Sequence, residues 1–303
     1  MFQRAIIVLL LLPLISCGGG GGFFKGSKGV NAKGVNYGTA EMDMETAYDN
    51  LKNSLEKNKN ISIIAELDHS KNAASTEMTL RPSRIIFFGN PKIGTLLMQQ
   101  NQLAGLDLPL RVLLFEEEEQ VLALYNSASY LEQRYNLKDQ STLNKISANL
   151  EELVGRALNT EIIRGEKPDI INSQGIKTVQ SRRDFNETWT ALKDILENNE
   201  NIKIVAELDH QANAAGAGME LRPTRLIMFG NPNLGTPLMH SAISTGLDLP
   251  QKILVWQDEE GEVNISYNAP EFLQFRHGFK GRETELETIS TILNDLARTA
   301  GGL

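Results

Sequence analysis

Two copies of one sequence make up most of this 303-residue chain. Residues 66–109 and 207–250 align at an offset of 141, and about 26 of the 44 aligned positions are identical. Identity on this scale is far above what a shared fold class produces by chance, so it indicates a tandem duplication. The fold must therefore be one that two adjacent copies can both adopt.

The alignment extends beyond this segment and defines the domain boundaries. One extra residue in an acidic turn of the second copy shifts the offset to 142, and "LYNSASYLEQRY" then aligns with "SYNAPEFLQFRH". Each copy spans about 130 residues, which is the length of an independent domain rather than of a solenoid repeat. We assign residues 34–160 to repeat 1, residues 161–172 to a polar linker and residues 173–303 to repeat 2.

The same order of elements is predicted in both copies. A short strand (residues 35–40 and 176–181) precedes an amphipathic helix with apolar residues at helical spacing. The β-branched segments "ISIIAEL" and "IKIVAEL" predict a second strand, and three further strands and two closing helices follow. Because strands and helices do not alternate regularly, the predicted class is α+β, with a mostly antiparallel sheet and helices on one face.

A further helix is expected after each "GNP" sequence. In repeat 2, Thr236 is followed by Pro237, the order typical of an N-cap hydroxyl and a first-turn proline. We therefore predict that these helices begin at Thr95 and Thr236. The glycines at Gly105 and Gly246 are predicted to end them.

The N-terminus has the pattern of a bacterial lipoprotein signal. Arg4 precedes an apolar run over residues 5–15 that is too short to span a bilayer, and the "LISC" that ends it resembles a lipobox. We predict a signal peptide over residues 1–16, acylation of Cys17 and a glycine-rich tether over residues 17–33. An ordinary secretory signal with a chance cysteine is the alternative.

These features predict where the protein resides. A lipid on Cys17 would anchor it to a membrane of the bacterial cell envelope, and the lack of an aspartate directly after Cys17 favours the outer membrane, facing the periplasm. Cys17 is the only cysteine, so no intramolecular disulfide can form.

Composition and motifs exclude several classes of function. The formal net charge of −8 disfavours nucleic acid as a partner, because phosphate backbones require clustered Lys and Arg. The sequence contains no Gly-x-Ser-x-Gly, P-loop, His-Glu-x-x-His, cysteine pair or dinucleotide glycine motif. The signatures of common hydrolases, kinases, zinc proteases and redox enzymes are therefore missing, and no cofactor is predicted.

The short sequences shared by both copies resemble one known family. "DH", "NAA", "LRP", "FGNP", "GT", "LM", "GLDLP" and "YN" occur in this order twice and resemble domain of unknown function 302. The resemblance implies a TATA-binding-protein-like α+β fold, association of two domains as a dimer, and no known activity. It also implies an Arg-His-Gly sequence after the tyrosine-containing segment. Repeat 2 has this sequence, with His277 as its histidine, whereas repeat 1 has Tyr135 at the histidine position.

The first candidate site is the acidic cluster that both copies carry after the second strand. A turn after Leu67 could bring Asp68 and His69 to one ligand, and a buried Asp–His pair can act as an acid or base. Alternatively, the aspartates accept backbone N–H bonds and the histidines pack on the sheet. One His with one or two carboxylates is too few for a metal shell, so no metal is predicted. The candidate residues are Asp68, His69, Asn72, Asp209, His210 and Asn213.

The second candidate site is the "FGNPxxGT" junction, where N–H groups at a helix start could bind an anion. Its candidate residues are Asn90, Thr95, Asn231 and Thr236. Alternatively, the asparagines close a turn ahead of the proline and satisfy only their own backbone.

Two hypotheses of function follow. The first is a lipid-anchored envelope protein that binds or supports other molecules, with its two repeats packed as a pseudo-twofold intramolecular dimer. The alternative is an enzyme, or a binder that depends on a metal or small anion, with repeat 2 as the active copy and with Asp209, His210 and His277 as its acid, base or ligand groups.

Overall fold

The computed structural model describes residues 30–303. The predicted signal peptide, Cys17 and most of the predicted tether lie outside the described residues. Among residues 30–303, no helix is both long enough and apolar enough to cross a bilayer.

Repeat 1 contains five strands and five helices, plus a short 3-10 helix (Gln102–Asp107) and a two-residue strand after its last helix. The strands are β1 (Val35–Ala40), β2 (Ser62–Asp68), β3 (Ser83–Gly89), β4 (Leu110–Glu117), β5 (Gln120–Asn126) and β6 (Ile163–Arg164). The helices are α1 (Met44–Glu56), α2 (His69–Ala74), α3 (Pro91–Gln100), α4 (Ala128–Tyr135) and α5 (Gln140–Leu158).

Repeat 2 follows the same order and has its own 3-10 helix (Ile243–Leu247). The strands are β7 (Ile176–Gln180), β8 (Lys203–Asp209), β9 (Thr224–Gly230), β10 (Gln251–Gln257) and β11 (Val263–Asn268). The helices are α6 (Phe185–Glu197), α7 (His210–Gly216), α8 (Pro232–Ser241), α9 (Pro270–His277) and α10 (Glu283–Ala300).

The two sheets have equivalent topology. Their strand orders are β2-β3-β4-β5-β1-β6 and β8-β9-β10-β11-β7, and the strand pairs are antiparallel. The predicted α+β class and the duplication are therefore confirmed. Strand β6 lies in the segment predicted as a linker, where it pairs with Asn36 and Tyr37 of β1.

The prediction that α3 and α8 begin at Thr95 and Thr236 is wrong. They begin four residues earlier, at Pro91 and Pro232, with Asn90 and Asn231 as their N-caps. The asparagine supplies the capping oxygen and the proline occupies the first helical position. Pro237 consequently lies inside α8 rather than at its start.

Each sheet buries its outer face against helices of its own repeat. In repeat 1, α1 and α5 pack on this face, and Leu51 and Leu55 of α1 are fully buried there. Alternate strand residues, among them Ile86 and Leu114, point toward these helices, because side chains alternate between the faces of a strand. This layer is the core that the helical spacing predicted.

The inner face of each sheet is covered by the other repeat. Strands β3, β4 and β5 contact the 3-10 helix of repeat 2, and β9, β10 and β11 contact the 3-10 helix of repeat 1. Ile85, Phe87 and Leu113 on the inner face of repeat 1 are 0% exposed. Burial of such apolar surface stabilises a protein by about 25 cal/mol per Å². Each repeat therefore completes the core of the other.

The β4–β5 hairpin is strained at its two-residue turn. Glu118 and Glu119 have φ values of 48° and 68°, which disfavour residues with a Cβ. We expect Glu119→Gly to raise the free energy of unfolding by about 0.5–1 kcal/mol, because glycine adopts this conformation without steric cost. Urea unfolding measures the change. Glu116→Gly, a substitution inside β4, is the control and should destabilise the protein instead.

Candidate functional site

A cluster of buried charged side chains, here called the charge cluster, lies between the repeats. Its carboxylates are Asp107 and Asp248, the equivalent aspartates of the two "GLDLP" sequences, which are 0% and 4% exposed. Arg111 Nη2 donates to one oxygen of each, at 2.7 Å in both cases. Arg111 Nε donates to the backbone oxygen of Leu247 at 2.6 Å. One arginine of repeat 1 thus binds both aspartates.

Two further arginines of the charge cluster connect the repeats reciprocally. Arg134 donates to the aspartate of its own repeat and, at 2.7 Å, to Asn268 Oδ1 of repeat 2. Arg276 donates to the aspartate of its own repeat and, at 2.5 Å, to Asn126 Oδ1 of repeat 1. Equivalent residues exchange equivalent bonds, as in an isologous dimer interface.

Both aspartates of the charge cluster are ionised. Burial alone would raise the pKa of Asp107, but the guanidinium groups of Arg111 and Arg134 outweigh that effect and hold it well below its usual value. Burial likewise opposes ionisation of Asp248, and Arg276 with the hydrogen bond from His277 lowers its pKa well below the usual value. The buried positive charges are therefore paired with negative ones.

Tyr135 and His277 occupy equivalent positions and make equivalent contacts. Tyr135 Oη donates to Asp107 at 2.6 Å, and His277 Nε2 contacts Asp248 at 2.9 Å. Burial lowers the pKa of His277 despite the opposing effect of Asp248, so the imidazole is neutral. Its Nε2–H then donates to Asp248, and Nδ1 accepts from Ser244 Oγ at 3.0 Å.

Ser244, His277 and Asp248 have the residue types of a hydrolytic triad and are hydrogen-bonded in series. Their surroundings, however, are those of a structural contact. Ser244 and His277 are 7% and 2% exposed, and neither lines the two clefts described below. Asp248 also binds Arg111 and Arg276. We therefore assign His277 to positioning Asp248, as Tyr135 positions Asp107 in repeat 1.

This assignment predicts the effect of exchanging His277. His277→Ala removes a donor from a buried carboxylate, and we expect a loss of about 1–3 kcal/mol in the free energy of unfolding. His277→Tyr supplies the hydroxyl that repeat 1 uses and should restore at least half of that loss. Urea unfolding of both variants provides the comparison. Equal destabilisation by alanine and tyrosine would contradict the positioning role.

Arg111 and Lys252 are equivalent residues with different charge behaviour. Lys252 is 2% exposed, and its Nζ donates to the backbone oxygens of Asp248 at 2.9 Å and Pro250 at 3.2 Å. Burial, together with repulsion from Arg111, lowers the pKa of Lys252 to about 7. The charge of the cluster therefore changes near neutral pH through its repeat-2 member.

Two clefts lie at equivalent positions in the two repeats. The repeat-1 cleft has a volume of about 630 Å³ and the repeat-2 cleft about 600 Å³. Each is bounded by the second strand, the "FGNP" junction, the proline of "GLDLP" and the last helix of its repeat. Phe88, Met98 and Leu150 line the first cleft, where Phe229, Met239 and Leu293 line the second. Their walls are thus mainly apolar and equivalent.

Each cleft is completed by residues of the other repeat. Leu208, His210 and Asn213 of repeat 2 line the repeat-1 cleft, together with Asn90 and Thr95. In the repeat-2 cleft the corresponding residues are Leu67, His69 and Asn72 of repeat 1, together with Asn231 and Thr236. The two candidate sites predicted separately from the sequence therefore meet in space, but across the repeats rather than within one.

Asp68 and Asp209 do not line the clefts. Asp68 caps α2 by accepting from Lys71 N at 2.9 Å, and Asp209 caps α7 by accepting from Ala212 N at 2.8 Å. Arg225 Nε donates to Asp209 at 2.8 Å. The aspartate and the histidine that follows it thus face different partners, so they do not form an acid–base pair on one ligand.

The asparagines and threonines of the "FGNPxxGT" junctions bind their own backbone. Asn90 Oδ1 accepts from Lys92 N at 2.9 Å, and its backbone oxygen accepts from Gly94 N at 3.0 Å. Asn231 caps α8 in the same way. Thr95 Oγ1 donates to Pro91 O at 2.8 Å. Because the first-turn N–H groups of α3 are already bonded, this junction offers them to no anion.

The two cleft histidines differ in their hydrogen bonds. His69 and His210 are both 5% exposed, and burial lowers the pKa of each to about 4, so both imidazoles are neutral. His69 Nε2 lies 3.1 Å from the backbone oxygen of Gly246, to which it donates. His210 Nε2 is buried without a partner among the described residues.

Within residues 30–303, no group of three or more His, Cys, Asp or Glu side chains is placed to hold a metal ion.

The residues that the sequence reasoning missed are those of the charge cluster: Asp107, Arg111, Arg134, Asp248, Lys252 and Arg276. A signal for them existed, because a charged residue stands within each apolar "GLDLP" sequence and at the start of the strand that follows. Their meeting across the repeats was not visible in either copy alone.

Part of the chain is similar to part of several other proteins. It is 41% identical over 108 residues to the "Fluoride-specific ion channel FluC 1" of Brucella suis biovar 1 (strain 1330), a match that covers 36% of this chain and 42% of that protein. The protein of the same description from Brucella abortus biovar 1 (strain 9-941) matches with the same identity over 39% of its length. The chain thus spans about two fifths of these relatives.

The chain also matches a solved structure and a family of domains. "Crystal structure of uncharacterized conserved protein DUF302 from Bacillus stearothermophilus" describes a chain that is 19% identical, with a TM-score of 0.38. The match covers 42% of this chain and 98% of that one. The family described as "Domain of unknown function DUF302" matches residues 36–153 and again residues 177–296. The chain therefore belongs to this family and carries its domain twice.

Proposed function

We propose that the protein is a binding module whose two composite clefts each take a small, largely apolar molecule. The observation that carries this proposal is the equivalence of the clefts: equivalent apolar residues line both, and each needs residues from both repeats. Their volumes fall in the range of about 300–1,000 Å³ that is usual for small-molecule sites. A duplicated and packed fold thus forms two sites that one repeat alone does not complete.

Binding is favoured over catalysis by the way the polar groups are used. Asp68 and Asp209 cap helices, Asn90 and Asn231 cap helices, and His277 contacts Asp248 away from the clefts. A general acid or base must reach its substrate within hydrogen-bond distance. Asp209 and His277, two of the groups that the enzymatic alternative needed, are thus engaged in structural contacts.

The proposal includes a membrane location. The lipobox-like "LISC" sequence supports lipid attachment at Cys17, and the glycines after it support a flexible tether. The clefts would then operate at a membrane of the bacterial envelope, on its periplasmic side. Labelling of producing cells with radioactive palmitate tests this: the full chain should become labelled, and Cys17→Ala should not. Labelling of both would refute attachment at Cys17.

The named relatives suggest how such a module is used elsewhere. The matched stretch of 108 residues is about as long as one family domain, such as residues 36–153. We propose that the relatives share this domain with the present chain, and that the rest of their length carries the channel for which they are named. The chain is then related to them through a binding domain.

Binding at two sites is tested with N-phenyl-1-naphthylamine, a neutral apolar fluorophore. The full chain carrying Cys17→Ala should bind two molecules. Ile93 and Leu234 are equivalent, half-buried residues on the walls of the two clefts. Ile93→Trp and Leu234→Trp should each remove one site and leave the other. No saturable binding, or binding unaffected by both substitutions, would refute the proposal.

A further inference from the structure

The repeat-1 cleft carries a recognition group that the repeat-2 cleft lacks. His210 is buried at its wall, and its Nε2 has no hydrogen-bond partner among the described residues. A buried polar atom without a partner is costly, so such atoms are uncommon in folded proteins. The equivalent atom, Nε2 of His69, is bonded to Gly246 O. The two clefts are therefore similar in shape but not in chemistry.

The backbone of the two 3-10 helices differs at the same place. In repeat 1 the oxygen of Gly105 accepts from Leu108 N at 3.3 Å. In repeat 2 the corresponding Leu249 N instead donates to Thr245 O, which leaves Gly246 O to accept from His69. The backbone pairing thus differs where the histidines differ: His69 has a partner, and His210, which lines the repeat-1 cleft, has none among the described residues.

The repeat-1 cleft also carries positive charge. Lys57 lines the repeat-1 cleft, and no carboxylate lies within salt-bridge distance of it in the part of the chain that the structure describes. The equivalent residue of repeat 2 is the neutral Asn198, and the repeat-2 cleft is lined instead by Lys203 and by Glu66, which is paired with Lys52. Arg156 also lines the repeat-1 cleft and is paired there with Glu152. The repeat-1 cleft therefore has one excess positive charge beside its apolar walls.

From these contacts we infer that the repeat-1 cleft binds an apolar monocarboxylate, whose carboxylate accepts a hydrogen bond from His210 Nε2. The apolar part lies against the walls formed by Phe88, Met98 and Leu150. The excess charge at Lys57 favours an anion over a cation. This inference rests on the proposed function and adds the class of ligand and its recognition residue.

Decanoate is the probe for this inference. The protein is the full chain carrying Cys17→Ala and Leu234→Trp, in which only the repeat-1 cleft stays open. Isothermal titration should show one decanoate bound per chain. His210→Ala should weaken binding about tenfold or more, because it removes a hydrogen bond to a charged group. His210→Gln retains a donor and should recover part of the affinity.

The controls separate the two proposals. His69→Ala should change decanoate affinity less than twofold, and decyltrimethylammonium should bind more weakly than decanoate. Circular dichroism at the titration temperature identifies variants that fail to fold. If His210→Ala does not fold, the affinity of His210→Gln is compared with that of the parent protein instead. Equal affinity of His210→Ala and the parent protein, or tighter binding of the cation, would overturn the inference. If N-phenyl-1-naphthylamine still bound, the proposed function would stand. Failure of both probes would refute both.

Discussion

Asp107→Asn and Asp248→Asn should each lower the free energy of unfolding by about 3–5 kcal/mol, the range for breaking a buried ion pair by removing one partner. Asp107 is the carboxylate partner of Arg134 and shares Arg111 with Asp248. Replacing either carboxylate leaves a buried guanidinium without its counter-charge. Asp248→Asn leaves Arg276 in the same condition. These are the largest effects of single substitutions that we expect.

The matched control is an exposed pair of the same type. Arg81 and Glu117 lie 3.1 Å apart with both side chains more than a third exposed. Because exposed ion pairs contribute about 0–1 kcal/mol, Glu117→Gln should have little effect. Urea unfolding of the three variants decides the question. If Asp107→Asn and Asp248→Asn were no more destabilising than Glu117→Gln, the charge cluster would not hold the repeats together.

Stability should fall steeply as the pH drops from about 6.5 to about 4. His69 and His210 are neutral in the folded protein down to pH values of about 4, whereas an unfolded chain protonates them near pH 6.5. In this window the unfolded state binds more protons, so acidification favours it. Each histidine can contribute up to about 3 kcal/mol, from the difference of its two pKa values. Burial lowers the pKa of His277 as well, which acts in the same direction.

Substitution of both cleft histidines tests the source of this dependence. The His69→Gln, His210→Gln double variant should lose most of the decline in stability between pH 6.5 and 4.5, because glutamine does not titrate. This window lies above the pH at which unfolded aspartates protonate, so Asp107 and Asp248 contribute little to it. The exposed His240→Gln is the control and should retain the decline. An unchanged decline in the double variant would show that the two histidines are not its cause.

The sequence predicted the parts of the fold that depend on local pattern. Two aligned copies gave two readings of each strand and helix, and the α+β class and the duplication are confirmed. The starts of α3 and α8 were predicted wrongly because Thr236-Pro237, in α8, has the typical order of a helix start. The actual signal was Asn90-Pro91, in which the asparagine caps the helix and the proline begins it.

The sequence identified several residues of the candidate sites, but it did not predict which of them lie together in the structure. His210 and Asn90 each stood out in the sequence, yet they meet only because repeat 2 packs on repeat 1. The charge cluster depends on the same packing: Arg111 reaches Asp248 over a sequence separation of 137 residues. The difference between His69 and His210 accompanies a change in backbone hydrogen bonding at Leu108 and Leu249, which the sequence pattern did not reveal.

The central claim is that the two repeats form one folded unit because each covers the inner sheet face of the other. Hydrogen exchange of Leu51→Ala tests it most directly. Leu51 is fully buried against the outer face of repeat 1, and its truncation should cost about 2–5 kcal/mol. The account predicts that amides in β10 of repeat 2 lose as much protection as amides in β4 of repeat 1. Loss of protection confined to repeat 1, with β10 exchanging as in the parent protein, would contradict it.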